Sequence, residues 1–352
     1  MLRIIASVVL AVLAHAATMQ AVMAADPSSG YRVARRISGP DGRWDLVAVD
    51  SRTRRLYVGR EGGILAVNLS DETVLPNLLA TPVVHQILPL EDGRLIVTTG
   101  ESDTAVILDG ATGKVIAEVP TGRDPDAIAF DRKTGLAMTF NRGGNDATIL
   151  DVEKGRVTGG LKLPGKPESA VADGEGTMYV NIASGNEIAV IDVRGGRIIR
   201  RIALQGCEEP TGLALDATDN LLIAACDNGI AKVLTTGGRA LADLAVGPEP
   251  DAAFVDSGRR LAFIPSGGDG TLTVISLRHR NHIGIVERVI TQRGTRTGAV
   301  DPQTGTVFLP AGKLLPPTPP AKWPSVVPGS FEILVVERNA MQSSARPVQP
   351  TP

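Results

Sequence analysis

An aspartate-led turn recurs along this chain at nearly constant spacing, and that recurrence restricts the fold more than any other feature. Asp131, Asp173, Asp216, Asp256 and Asp301 each open a short polar turn, and they stand 42, 43, 40 and 45 residues apart. Two weaker copies precede them, at Asp50 before Leu56-Tyr57-Val58 and at Glu91-Asp92-Gly93-Arg94 before Leu95-Ile96-Val97. A period of ~40–50 residues is that of a propeller blade. Seven copies therefore predict a ring of seven.

Gly165 to Val193 shows the repeat most clearly. It reads as a strand over Glu168 to Ala172, the Asp173 turn, a strand over Met178 to Ile182, a turn at Ser184-Gly185-Asn186 and a strand through Ile188, Val190 and Asp192. Arg197 to Ile202 mixes β-branched residues with arginines, as an outer edge strand does to guard against stray pairing. The strand starts recur too, at Trp44-Asp45, His85-Gln86, Pro125-Asp126, Pro167-Glu168, Pro210-Thr211, Pro250-Asp251 and Arg296-Thr297. Proline suits a strand start, where its missing N–H need not join a ladder. Small residues follow, such as Ala127, Ala170, Gly212, Ala252 and Gly298, as seven inner strands crowding one axis require.

The last repeat lacks an outer strand after Phe331 to Val336, while Tyr31 to Ile37 lies ahead of the first complete repeat. The predicted fold is all-β, a seven-bladed β-propeller of four-stranded antiparallel blades, closed by an N-terminal strand that completes the last blade. Its expected span is 31–338. Arg3, the apolar run Ile4 to Leu13 and the small-residue site at Ala24 read as a signal peptide over 1–24. The run is shorter than the ~20 residues of a spanning helix. A linker over 25–30 and a disordered tail over 339–352 complete the division, and the expected location is periplasmic or secreted. Losing Arg3 with the leader takes the net charge from −2 to about −3. No basic excess of the kind that displaces counterions from phosphates is present, so nucleic acid ranks last among the partners.

Leu56-Tyr57-Val58 and Met178-Tyr179-Val180-Asn181, with Gly165-Lys166-Pro167-Glu168, Cys207 to Ala214 and Gly268 to Thr271, resemble the YncE-like, YVTN-repeat family of secreted seven-bladed β-propellers. The resemblance covers Tyr31 to Arg338 and implies a fold rather than a chemistry, because propellers host unrelated functions.

In such a ring the segments leading into first strands and those leaving second strands share one face around the central channel. That face should gather Asp45, His85, Asp126, Glu168, Thr211, Asp251 and Arg296 from the first set. Thr98, Asn141, Asn181, Asp227 and Ser266 should join from the second. The expected ligand-binding group is Asp45, His85, Asp126, Asn141, Glu168, Asn181, Thr211, Asp251 and Arg296. Four carboxylates near one axis repel unless a cation, water or Arg296 compensates them. A polar pocket and a capped column of water both satisfy that pattern. Glu168, Asn181 and Asp251 offer hard oxygen ligands for calcium or another divalent metal.

Cys207 and Cys226 are the only cysteines, and both fall on the mouth side of adjacent antiparallel strands. In an exported chain they read as a disulfide, with two buried thiols as the alternative. A Pro-rich insertion over 311–330, around Lys313 to Pro328, interrupts the last blade as an extended loop on the same face. Trp323 lies in it and Trp44 falls beside it, which suits either a docking strip or a solvated insertion. His279 and His282 have HxxH spacing but sit in a polar turn. No phosphate loop or Ser/His/Asp arrangement is present, and aromatic residues make up 3%, too few for stacking surfaces. The residues point first to a module binding a small ligand, peptide or protein at the channel mouth. The alternative is a calcium-type, lactonase-like hydrolase.

Overall fold

The computed structural model describes residues 30–317 and 324–339. Seven four-stranded antiparallel sheets stand around a channel. In six of them the strands follow chain order, running over 44–80, 84–120, 125–162, 167–203, 210–245 and 254–290, hereafter blades 1 to 6. Blade 4 comprises Pro167–Ala172, Thr177–Ile182, Glu187–Asp192 and Arg197–Ala203. Its middle strands are almost wholly buried, because both their faces pack on neighbouring blades, and its outer strand is largely exposed. That is why middle strands read as unbroken apolar runs and outer ones as mixed.

Blade 7 closes the ring. Ala299–Val300, Val307–Ala311 and Glu332–Arg338 are completed by Tyr31–Ser38, which runs antiparallel to Glu332–Arg338 from Tyr31 opposite Arg338 to Ser38 opposite Glu332. Asn339 N–H donates to the carbonyl of Gly30 at 2.8 Å, extending the seam by one residue. The expected signal peptide 1–24, the linker before Gly30 and the tail beyond Asn339 lie outside the described residues.

The core is divided into sectors between blades. Phe140, Met138, Val180 and Ile182 fill the space between blades 3 and 4, and Phe263, Leu309 and Val336 that between blades 6 and 7. Near the axis only small residues fit. A Cβ on Gly212 would stand 2.4 Å from the backbone of Ala252 in the next blade.

Asp50, Asp131, Asp216, Asp256 and Asp301 are buried turn acceptors, and Asp173 is a half-buried one. Asp131 Oδ1 accepts from Thr134 N and Oγ1, each at 2.8 Å, and its Oδ2 accepts from Gly176 N of blade 4, also at 2.8 Å. Asp50, Asp256 and Asp301 take the N–H groups of Arg52, Arg259 and Gln303 in the same way. The short Asx side chain thus builds each hairpin. Asp131→Ala strands three donors in a buried corner and is expected to cost about 2 kcal/mol, read as a lowered urea midpoint. An unchanged midpoint would remove the turn from the account of the repeat.

Two features depart from the sequence reading. The inner strands of blades 6 and 7 shrink to Phe254–Asp256 and Ala299–Val300, because Asp251 N–H turns to the carbonyl of Arg296 at 3.2 Å and leaves only a bridge from Pro250 to Ser266 in its own sheet. The insertion after Ala311 is no simple extended loop. Leu314–Leu315 pairs with Ser325–Val326 as a two-stranded ribbon. Trp323 lies outside the described residues.

Candidate functional site at the channel mouth

Each inner strand starts at the mouth, and each second strand ends there. In blades 2 to 6 the two are tied by a backbone bond. Gly100, Arg142, Ala183, Asp227 and Gly267, each directly after a second strand, donate N–H to the carbonyls of Val83, Asp124, Lys166, Glu208 and Glu249 at 2.8–3.0 Å. Asp124, Glu209 and Glu249, each preceding a strand-starting proline, hold φ of 56°, 45° and 56°, in the left-handed region that a side chain enters at a cost. These ties fix a polar cavity of about 400 Å³.

All seven residues expected from strand starts line it, one from each blade: Asp45, His85, Asp126, Glu168, Thr211, Asp251 and Arg296. Asp227 joins them from the second set. The other second-set residues do not. Asn141 is buried within blade 3, where its amide donates to Asp146 Oδ1 at 2.8 Å and Thr148 Oγ1 at 3.0 Å. Asn181 donates across to the carbonyl of Gly212 in blade 5 at 3.0 Å. Thr98 Oγ1 donates to the carbonyl of Asp126 at 3.1 Å, tying blade 2 to blade 3, and Ser266 is buried. Side chains alternate along a strand, so the residue one step beyond Asn141 is the one that faces the cavity. That residue is Arg142, which the sequence reading misses together with Arg43, Lys166 and Glu249.

Charges in the mouth are laid out in two halves. Across blades 1 to 4 they alternate and pair. His85 Nδ1 lies 2.7 Å from Asp45 Oδ2 and 3.5 Å from Asp126 Oδ1, Arg142 reaches Glu168 at 3.5 Å, and Lys166 reaches Glu168 at 2.8 Å. Across blades 5 to 7, Arg296 pairs with Asp251 at 3.3 Å and also feels the charge of Glu249, which shares its wall with Arg43, while Glu209 and Asp227 make no salt bridge among the described residues. The lining totals seven carboxyl groups against four Lys/Arg side chains and His85. The formal excess is two carboxyl groups, and the upward shifts of Asp126 and Asp251 reduce it.

Burial works against the charge on His85, but Asp124, Asp45 and Asp126 outweigh it and hold the ring's pKa up at about 10. Burial also pushes Asp126 upward, opposed by His85 and reinforced by Glu168 and Asp45, and it raises Asp251 against the pull of Arg296. The sign is the same for all three. Each is stabilised in its protonated form, so the mouth contributes most to stability below the ordinary pKa of each group and loses that contribution as pH rises through the elevated one. An NMR titration of the His85 ring is expected to keep the imidazolium beyond pH 9 and to turn over near 10, with Asp45→Asn moving the midpoint down. A midpoint near 6.5 would break the charge assignment.

The calcium set Glu168, Asn181 and Asp251 is not assembled. Asn181 does not line the cavity, Glu168 is held by two cations, and Asp251 faces Arg296. A different trio converges: one ligand atom each from Asp45, His85 and Asp126 lies within 4.8 Å of the others. A divalent cation at that point has to displace the proton His85 holds between two carboxylates.

Cys207 and Cys226 form a disulfide, with Cα atoms 5.3 Å apart. It sits directly beneath the acidic half, since Glu208 and Glu209 follow one cysteine and Asp227 the other. Among the described residues no helix is long and apolar enough to cross a membrane.

No protein-family model and no curated protein sequence matches the chain. Solved structures do. The WD40 repeats of RRP9 superpose with a TM-score of 0.73 at 10% identity, covering 86% of this chain and 97% of that one. The Neurospora crassa Pan2 WD40 domain gives 0.64 at 13%, covering 85% and 90%. Hydrazine synthase of Kuenenia stuttgartiensis gives 0.67 at 13%, covering 78% and 94%. At such identities the likeness is one of fold, a seven-bladed propeller with WD40-like neighbours.

Proposed function

We propose that this chain is a binding module whose channel mouth receives a cationic group from a ligand or protein partner. The observation that carries it is the split mouth: one half pairs its charges, and the other presents Glu209 and Asp227 without a salt bridge on a lip stapled by the disulfide, with Glu249 beside Arg43 and Arg296 at its edge. A protein spends no ligand affinity on charges already paired, whereas unpaired carboxylates beside a concave cavity attract the opposite charge. The same surplus works against polyanions such as nucleic acid. The YncE-like affiliation rests on the motif residues around Tyr57 and Tyr179. Export rests on the disulfide, which persists in oxidising compartments.

A thermal-shift screen of matched cationic, neutral and anionic compounds tests this. A cationic ligand at ~100 times its Kd adds ~2.7 kcal/mol, a rise of about 5 °C at roughly 2 °C per kcal/mol for a domain this large. Asp227→Asn/Glu249→Gln is expected to remove most of that rise. Stabilisation by anions alone, or by cations equally in the double variant, would refute the reading.

A further inference from the structure

A second cavity, of about 730 Å³, lies at the other end of the channel, where the inner strands of blades 2 to 5 finish. It shares no lining residue with the mouth. Leu88, Phe130, Val171 and Leu215, one from each of the four blades, line it and stay only half-buried. A half-buried leucine is ordinary on a convex surface. Four such side chains around one concavity make an apolar wall of the kind that receives ligands. Gln86 supplies the polar group of that wall. Its backbone N–H donates to Thr98 Oγ1 at 3.0 Å, and its side-chain Oε1 accepts from the Ile128 N–H of blade 3 at 2.8 Å. The backbone N–H requires an acceptor, so the amide oxygen faces it and the NH2 is left over. That NH2 makes no hydrogen bond among the described residues. The charges belong to the hairpin turns around the cavity, and each has a partner. Arg132 pairs with Glu91 at 3.0 Å, Arg94 with Asp92 at 2.7 Å and Glu153 at 3.5 Å, and Asp173 Oδ1 accepts the N–H groups of Glu175 and Thr177 at 2.8 and 3.0 Å.

We infer that this cavity is a second binding site, for a neutral, largely apolar small molecule that carries a hydrogen-bond acceptor such as a carbonyl or ether oxygen. Its volume falls within the ~300–1,000 Å³ of pockets that take one drug-sized ligand. A folded partner does not fit into such a space. An ionised ligand would leave water for a wall of leucine, valine and phenylalanine and meet charges of both signs that are already paired. A neutral one brings its apolar body to that wall and its acceptor to the Gln86 NH2, which satisfies the one donor the blades leave open there. The site stands apart from the cationic group proposed for the mouth, because no residue serves both.

The probe is Nile red, a neutral dye with a carbonyl acceptor, titrated onto the full chain and followed by its fluorescence. Saturable binding is expected, with displacement by methyl octanoate and none by the octanoate anion at the same concentration and neutral pH. Gln86→Glu keeps an oxygen for the Ile128 N–H and puts a carboxylate oxygen where the NH2 stood. It is expected to weaken dye and ester by about tenfold. Leu215→Asp, which sets a charge in the wall, is expected to do the same, and a circular-dichroism melt checks its folding; where it fails to fold, Gln86→Glu alone decides. Leu314→Asp, on an exposed apolar position of the ribbon in the last blade, is the control and should leave both affinities unchanged. Displacement of the dye by octanoate as readily as by its ester, binding undiminished in Gln86→Glu, binding lost in the Leu314→Asp control, or no saturable binding would each overturn the inference and leave the mouth reading standing.

Discussion

Tyr31→Ala/Ile37→Ala is expected to lose roughly 6 kcal/mol of stability, at the usual ~2–5 kcal/mol for each large buried side chain removed. Both residues are buried on the closing strand. Tyr31 lies edge-on to Phe263 at 5.4 Å, donates its hydroxyl to the carbonyl of Gly305 at 3.2 Å, and so joins the N-terminal strand to blades 6 and 7. Domains hold only ~5–15 kcal/mol in total, so the double variant should be largely unfolded or open at the seam. The exposed strand residues make the control. Arg35 and Arg36 pair with Glu337 and Glu332 in solvent, and replacing both by alanine should change stability by less than about 1 kcal/mol per pair. Urea unfolding followed by circular dichroism separates the cases. A core variant as stable as the arginine control would mean that the strand decorates the ring rather than closing it.

Cys207→Ser/Cys226→Ser is expected to cost about 3 kcal/mol, because the bond closes a loop across a sequence separation of 19 and restricts the unfolded chain accordingly. Both sulfurs are buried, so reductant should act slowly on the native protein and have no effect on the double variant. Ligand affinity should fall alongside stability. The bond holds Glu208, Glu209 and Asp227 on one lip, and releasing it lets like charges separate. Loss of stability with undiminished cation affinity would show that the disulfide stabilises the blade without shaping the mouth.

The ring was legible because its signals are local and repeated. An aspartate must cap each inner hairpin, and a proline or polar residue must start each inner strand, whatever the blade packs against. The seven lining residues were legible for the same reason, since a strand start has a fixed address in every blade. Second-strand ends were harder. Side chains alternate faces, so a one-residue error exchanged Arg142, which faces the cavity, for Asn141, which is locked onto Asp146 and Thr148. Asn181 failed differently, its amide being drawn to the carbonyl of Gly212 in the next blade. No local pattern announces an inter-blade bond. The split of the mouth into paired and unpaired halves depends on which carboxylate meets which cation across blades, and pairing of that kind exists only in three dimensions. The cavity at the other end of the channel is likewise made by segments from four blades.

Titration calorimetry of trilysine amide at low salt, against the wild type, Asp227→Asn/Glu249→Gln and a control carrying Glu91→Gln/Asp92→Asn, tests the central assignment most directly. Glu91 and Asp92 border a separate cavity at the other end of the channel. Binding that is lost in the Asp227/Glu249 variant and kept in the control is the predicted result. Binding that is lost in the control instead, or equally in both, would contradict the assignment of the acidic rim as the site.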